Sequence, residues 1–277
     1  MIGPSDSPGE AAGRTCGDAA TAPRTVALIP AHNERLTIRG VVEATLPDAD
    51  EVLVVDDGST DGTADCLAGS GARVLRHADN AGKGRRLLEG LVACFEAGAS
   101  QVVTLDADGQ HDPAAIPGFL ACARDNPGAL VLGDRSAQAH RMPPSRAFGN
   151  RAGSFFVGWA CGRRLGDAQC GMRLYPAQLW GKVQVPPEQV DRFLFETAVL
   201  LHAAEAGVPF VTLPIAARYE GYVQRPSHFD PVRDFLSIAG MVTGFLCSRR
   251  LRPRGLRSSL RVQIKSEKQG EAEPCES

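Results

Sequence analysis

A chain of 277 residues suggests one large domain or two small ones, and 43% hydrophobic with 22% charged residues supplies a globular core. A formal net charge of −2 leaves no field over the whole chain that would gather nucleic acid. Eight cysteines form no Cys-x-x-Cys pair and no zinc-ligand spacing, which reads as scattered reduced thiols in a cytoplasmic protein. The first 24 residues lack the apolar run of a secretory signal, and no stretch reaches the ~18–20 apolar residues that span a bilayer. The nearest, Phe235 to Cys247, is short and carries Ser237, Gly240, Thr243 and Gly244. The expectation is a soluble or peripheral protein.

Residues 1–23 are rich in Gly, Ala, Ser, Pro, Asp and Thr, too poor in large apolar side chains to offset the entropy of ordering, so a disordered tail is expected there. Thr25 to Pro30 predicts a first strand, closed by proline. Ile38, Val41, Val42 and Thr45 fall at i, i+3, i+4 and i+7, on one helix face. Glu51 to Val55 predicts a second strand, running into Asp56-Asp57-Gly58-Ser59-Thr60-Asp61-Gly62-Thr63, a loop expected to lead into a capped helix. Arg73 to Arg76 reads as a short third strand. Lys83 to Ala97 reads as a helix striped by Leu87, Leu88, Leu91, Val92 and Phe95. A strand from Gln101 to Leu105, a helix after Pro113 and a strand from Ala129 to Leu132 follow. Strands that are nearly continuous in apolar residues and alternate with helices predict βαβ units in a doubly wound, mostly parallel α/β sheet. Beyond Asp134 the alternation fails, and residues 135–230 promise a less regular second half, with Phe155, Phe156, Trp159 and Trp180 read as core. From residue 249 on the chain is basic and polar.

Three acidic loops fall at predicted strand ends: Pro30-Ala31-His32-Asn33-Glu34, Asp56-Asp57-Gly58-Ser59 and Asp106-Ala107-Asp108-Gly109-Gln110. In a parallel sheet these ends share one edge, where ligands bind. Carboxylates gathered there repel unless a cation or hydrogen-bonding ligand absorbs their charge, and hard ions such as Mg²⁺ or Mn²⁺ take such oxygens while leaving room for phosphates. Other phosphate-binding patterns are missing. The first strand is followed by Pro-Ala-His-Asn-Glu where a dinucleotide fold needs Gly-x-Gly-x-x-Gly, and Gly82-Lys83-Gly84-Arg85 lacks the upstream glycine and the hydroxyl of a P-loop. An EF-hand loop starting at Asp106 would need Glu where Pro117 stands, and Gln110 breaks a phosphatase-like Asp-x-Asp-Gly-Thr.

The strings Ile29 to Glu34, Val54 to Thr63, Asn80-Ala81-Gly82-Lys83-Gly84 and Leu105 to His111, with Gly133-Asp134-Arg135 behind them, resemble the nucleotide-binding half of a family 2 glycosyltransferase with the GT-A fold. The resemblance is strongest to the polyprenyl- or dolichyl-phosphate mannose synthases. It implies that Pro30, His32, Glu34, Val55 and Asp57 line a nucleoside pocket, with Asp57 accepting from a base or ribose. It also implies that Asp106, Ala107, Asp108 and Gln110 meet the donor diphosphate, with Asp106, Asp108 and Gln110 holding Mg²⁺ or Mn²⁺. His32 stands where the family often has Tyr.

In the second half, Gly166 to Tyr175 and Asp191 to Thr197 resemble the family's acceptor-side stretches, and Arg218-Tyr219 with Ser227-His228 sits where those synthases place an Arg and a Ser-Lys pair. The implied catalytic residues are Asp167, Arg135 and Arg218, with Arg218 and His228 toward an acceptor phosphate. Implied partners are a GDP- or UDP-sugar and a polyprenyl phosphate, and no nucleic acid. A monophosphate is already an anion at neutral pH and needs positioning by cations, whereas a saccharide hydroxyl needs a base, for which Asp167 is the candidate. The organisation expected is a GT-A catalytic domain over 24–248, divided at 135 into a nucleotide-sugar half and an acceptor half, then a tail over 249–277. Residues 235–265 are expected to contact the inner face of the cytoplasmic membrane through the short apolar run and the basic stretch. A non-catalytic sugar-nucleotide-binding module and a nucleotidyltransferase are the competing classes. The acidic set disfavours the first, and the absence of a Gly-rich basic loop after the first strand disfavours the second.

Overall fold

Continuous apolar runs of four to seven residues, each followed by an amphipathic stretch, build one sheet with helices on both faces. The computed structural model describes residues 23–141, 144–216 and 233–248. The predicted tail (all but Pro23), Arg218, Tyr219, Ser227, His228 and the basic stretch from 249 lie outside the described residues.

Strand β1 (Thr25–Ala31) pairs in parallel with β2 (Glu51–Asp56), Leu28 opposite Leu53, and helix α1 (Ile38–Thr45) connects them. The short strand β3 (Arg73–Arg76) adds outside β2, and helix α2 (Lys83–Glu96) leads back to β4 (Gln101–Thr104) on the other side of β1. Helix α3 (Ile116–Asp125) leads to β5 (Leu130–Asp134). The helix expected after Thr63 is only a 3₁₀ turn, Asp65–Leu67. Gly69 and Gly71, both at positive φ, end the segment before a second helical turn can repay nucleation.

The chain then forms α4 (Pro144–Cys161), β6 (Arg173–Pro176), α5 (Ala177–Trp180), α6 (Leu194–Glu205), β7 (Phe210–Pro214) and α7 (Arg233–Ser248). The strand order is β3-β2-β1-β4-β6-β5-β7, with β6 antiparallel to both its neighbours and every other pairing parallel. The second half is thus less regular in order yet joins the same sheet. Because β6 runs backward, its first residues lie beside the carboxyl ends of β4 and β5, with Arg173 opposite Thr104.

Side-chain alternation divides the core in two. Val26, Leu28, Leu53, Val55, Val102 and Leu132 pack with α2, α4, α6 and α7, while Ala27, Ile29, Val52, Val54, Val103 and Val131 pack with α1 and α3. Of the four aromatic residues expected in the core, Trp159 and Trp180 pack against it only partly buried and Phe155 is half-buried. Phe156 is 47% exposed, because the inward side of α4 is made by Ser154, Val157, Ala160 and Cys161.

Candidate active site

The Asp-Ala-Asp loop continues the alternation of β4 for one more step. Leu105 and Ala107 bury their side chains in the core beneath α1 and α3, which turns Asp106 and Asp108 to the other side, half-buried at the carboxyl edge of the sheet. The loop is tied from within. His111, 1% exposed, accepts from the Asp106 backbone N–H through Nδ1 at 3.1 Å, and the Asp108 carboxylate accepts from the Gln110 backbone N–H at 2.9 Å. Burial pushes the His111 pKa down to about 4, more than the Asp106 charge restores, so the ring is neutral and able to accept at Nδ1.

Lys83, the first residue of α2, sets its ammonium 2.6 Å from Asp106 Oδ1 and 3.3 Å from Glu196 Oε2 on α6. Burial works against its charge, but Asp106 and Glu196 together hold it more firmly protonated than a free lysine. The same contact acts on Asp106: burial would raise its pKa, yet Lys83, by charge and hydrogen bond, holds its carboxyl well below the usual carboxylate range. For Asp108 the balance is reversed. Burial, then the charge of Asp106, pushes it up to about 6, since Lys83 serves its neighbour. Two adjacent carboxylates with divergent titration and one cation between them leave an unmet demand for positive charge at Asp108. An oxygen-seeking dication beside Asp106, Asp108 and the Gln110 amide fits that demand. Among the described residues no three His, Cys, Asp or Glu side chains enclose a metal. With Asp106, Asp108 and the Gln110 amide as ligands, the remaining positions of such an ion would fall to phosphate and water, the habit of Mg²⁺.

The loop that precedes β6 closes the other side. Its two glycines permit close contact with both strand ends: a Cβ on Gly171 would stand 2.9 Å from both Asp106 carboxylate oxygens, and one on Gly166 would collide with Asp134 Oδ2 at 1.9 Å. Arg173, 1% exposed, pins this loop by donating to the carbonyls of Ala168, Cys170 and Glu196 at 2.9, 2.9 and 2.6 Å. The arginine of the acceptor-like stretch Gly166 to Tyr175 is therefore an internal cross-link. Asp167 and Arg135 do meet, at 2.7 Å between Oδ2 and Nε, both buried, and the other Asp167 oxygen accepts from the Gln169 backbone.

Where a nucleoside pocket was expected, Pro30 lies opposite Val55 in the β1–β2 register, and Val55 is fully buried in the core. His32 donates from Nδ1 to the Asp57 carbonyl at 2.8 Å, which leaves Nε2 to accept from Asn33 at 3.1 Å. Glu34 takes Thr37 Oγ1 at 3.1 Å. The Asp57 carboxylate, expected to accept from a base or ribose, is already engaged by the backbone N–H groups of Ala81 and Gly82 at 2.7 and 2.9 Å and by Arg86 Nε at 2.7 Å. It shapes the turn before α2. The neighbouring Asp56 keeps Oδ2 buried without a hydrogen bond, its ion-pair contact to Arg76 a long 3.9 Å. Sequence reasoning passed over Asp56, Lys83 and Glu196. The quoted motif strings contained all three, but no spacing rule joins positions 83 and 196.

Residues 26–143 match the sequence profile of Glycosyl transferase family 2. An undecaprenyl-phosphate mannosyltransferase from Micrococcus luteus is 31% identical over 204 residues, 69% of this chain and 82% of that protein. The chain belongs to glycosyl transferase family 2. Another relative of this glycosyltransferase is a UDP-N-acetylglucosamine–dolichyl-phosphate N-acetylglucosaminyltransferase from Methanococcus voltae, 28% identical over 218 residues, 70% of this chain and 86% of that protein. The fold is that of GT-A enzymes. Glucosyl-3-phosphoglycerate synthase from Mycobacterium tuberculosis, crystallised with Mg²⁺ and UDP, superposes with a TM-score of 0.59 at 22% identity, covering 82% of this chain and 79% of that one.

Proposed function

We propose that this glycosyltransferase moves a hexose, mannose or glucose, from a GDP- or UDP-sugar to a polyprenyl phosphate by single displacement with inversion, aided by Mg²⁺ or Mn²⁺. The catalytic unit is taken as residues 24–248, with the donor in the half up to 135 and the acceptor in the half after it. The observation that carries the acceptor choice is the Asp167–Arg135 pair. Both Asp167 oxygens are already engaged, one by Arg135 at 2.7 Å and the other by the Gln169 backbone, whereas a saccharide hydroxyl would need a carboxylate placed to receive its proton. A lipid monophosphate arrives ionised and needs none. The relatives named above, whose names specify undecaprenyl and dolichyl phosphates, support the same acceptor class.

In this reading His32 and Glu34 flank the nucleoside, Pro30 and the buried Val55 back it at the strand ends, and Asp57 holds the Ala81–Gly82 turn against it. Asp106, Asp108 and Gln110 hold the cation beside the diphosphate. When bound, it supplies Lewis-acid stabilisation of the charge that builds on the leaving diphosphate. Lys83 keeps Asp106 ionised and oriented toward that place. Arg135 orients Asp167 and adds positive potential on the acceptor side, where Arg218 and His228 are assigned to the acceptor phosphate. The enzyme works at the inner face of the cytoplasmic membrane, which residues 235–265 contact peripherally. Among the described residues no helix is long and apolar enough to cross a membrane.

The test is incubation with Mg²⁺ and labelled GDP-mannose, UDP-glucose or UDP-N-acetylglucosamine, with and without a short-chain polyprenyl phosphate. Nucleoside diphosphate release that requires the lipid phosphate is expected. Transfer only to saccharides, or release of pyrophosphate, would overturn the assignment.

A further inference from the structure

Helix α4 is the segment inserted between Arg135 and Asp167, whose side chains pair at 2.7 Å, so its position is tied to the site from both sides. A further tie runs from Ser154 on the helix, whose Oγ accepts from the Ala168 backbone at 2.9 Å. The outward side of α4 is aromatic. Phe148, Ala152, Phe155, Phe156 and Trp159 recur at i, i+4, i+7, i+8 and i+11, one face of a helix. Phe148 is 76% exposed and Phe156 47%. Three of the rings are contiguous, with Phe155 and Phe156 centroids 5.4 Å apart and Phe156 and Trp159 centroids 6.4 Å apart, and Trp159, half-buried, closes the row where it meets the core. A single exposed ring is ordinary on a protein surface, but a row of them on one helix indicates something that covers it.

The charge beside the row selects the occupant. Residues 136–166 contain five arginines and no aspartate or glutamate, in a chain whose overall charge is −2. Arg151, within the row, and Arg164, beyond the end of the helix, are exposed. A second copy of this chain placed symmetrically on the face would set Arg151 near its own image, and like charges there oppose pairing. A bilayer bearing anionic headgroups satisfies both properties at once: rings enter the acyl boundary while guanidinium groups meet phosphate.

We infer that the Phe148–Trp159 face of α4 is a docking surface for an anionic lipid bilayer, separate from the stretch 235–265. The inference deepens the lipid-phosphate acceptor reading and rests on it for its purpose, since it would bring the Arg135–Asp167 side of the site to the plane in which such an acceptor is held.

The test uses the full chain with Trp180→Phe, which leaves Trp159 as the sole tryptophan. Vesicles of phosphatidylcholine alone, or with phosphatidylglycerol, carry brominated acyl chains. Quenching of Trp159 emission is expected only with the anionic lipid. Phe148→Ser combined with Phe156→Ser should lower the partition coefficient at least about tenfold. The same double variant should keep its melting temperature and its rate on a short-chain polyprenyl phosphate without vesicles, while its rate on a long-chain acceptor in vesicles falls. Unchanged partitioning with unquenched Trp159 would overturn the inference. So would a shift from dimer to monomer in the double variant without a change in vesicle binding. Absence of transfer to the short-chain acceptor by the parent protein would sink the acceptor reading alone, because the quenching measurement needs no turnover.

Discussion

Asp108 differs from Asp106 in one respect that decides its chemistry: Lys83 lies 2.6 Å from Asp106 Oδ1, while at Asp108 burial and the Asp106 charge outweigh the weaker pull of Lys83. Asp108→Asn should therefore retain the fold yet lower the rate of sugar transfer by about 10²–10³, the usual cost of removing one group that stabilises developing charge. A chelator should bring the parent protein down to a similar rate. Arg173 makes the opposite prediction. It touches no solvent and satisfies three carbonyls, so Arg173→Met should cost about 3–5 kcal/mol of stability, read by denaturant unfolding. Gly171→Ala separates site from scaffold in another way. Its methyl group would press on both Asp106 oxygens and on Lys83, so activity should fall well before the melting temperature does. At this scale the sequence showed where acids accumulate and concealed what each one touches. The pairing of Asp57 with Arg86, and of Lys83 with Glu196, spans 29 and 113 positions, and no local pattern encodes it.

Among elements, α2 does most to join the halves of the molecule. Its buried stripe of Leu87, Leu91 and Cys94 packs on β1, where Gly90 lets the helix approach Leu28 so closely that a Cβ would stand 2.4 Å from Leu28 Cδ1. Leu91→Ala should cost about 2–5 kcal/mol, measured by chemical denaturation. At its other end Gly84 sits against the Val190 and Arg192 carbonyls, with 2.2 Å left for a Cβ at the first. Gly84→Ala should push the loop before α6 away and loosen the Lys83–Glu196 contact, raising KM for the donor. The strands β1, β2 and β4 were legible because each is a run of apolar residues bounded by turn formers. Strand β6, Arg-Leu-Tyr-Pro, has no such run. It owes its place to pairing with β4 and β5 on either side, which is tertiary context and not propensity. The exposure of Phe156 was likewise hidden, since a ring reads as core until the opposite face of its helix is known to be buried.

For the molecule as a whole, ligand should act as a structural member. In the proposed function, donor diphosphate and cation together would touch the loops after β1, β2 and β4, so binding should be felt throughout the sheet. At a nucleoside diphosphate concentration about 100 times Kd the linkage is worth about 2.7 kcal/mol. The melting temperature should rise by several degrees with GDP or UDP plus Mg²⁺, and by little with either alone. The base that gives the larger shift identifies the donor. The sign of that difference was not legible in the sequence, since the His32 ring is turned to the Asp57 carbonyl and the Asn33 side chain, a contact no local pattern encodes.

The backward-running β6 also governs how the polypeptide can be made. Until residue 176 has left the ribosome, β4 has no partner on its outer side and β5 has nothing to join, so the nascent first half carries an open row of amide groups. A truncated product stopping at 135 should aggregate, and the full-length polypeptide should acquire protease resistance in one late step, when this hairpin-like wedge closes the gap.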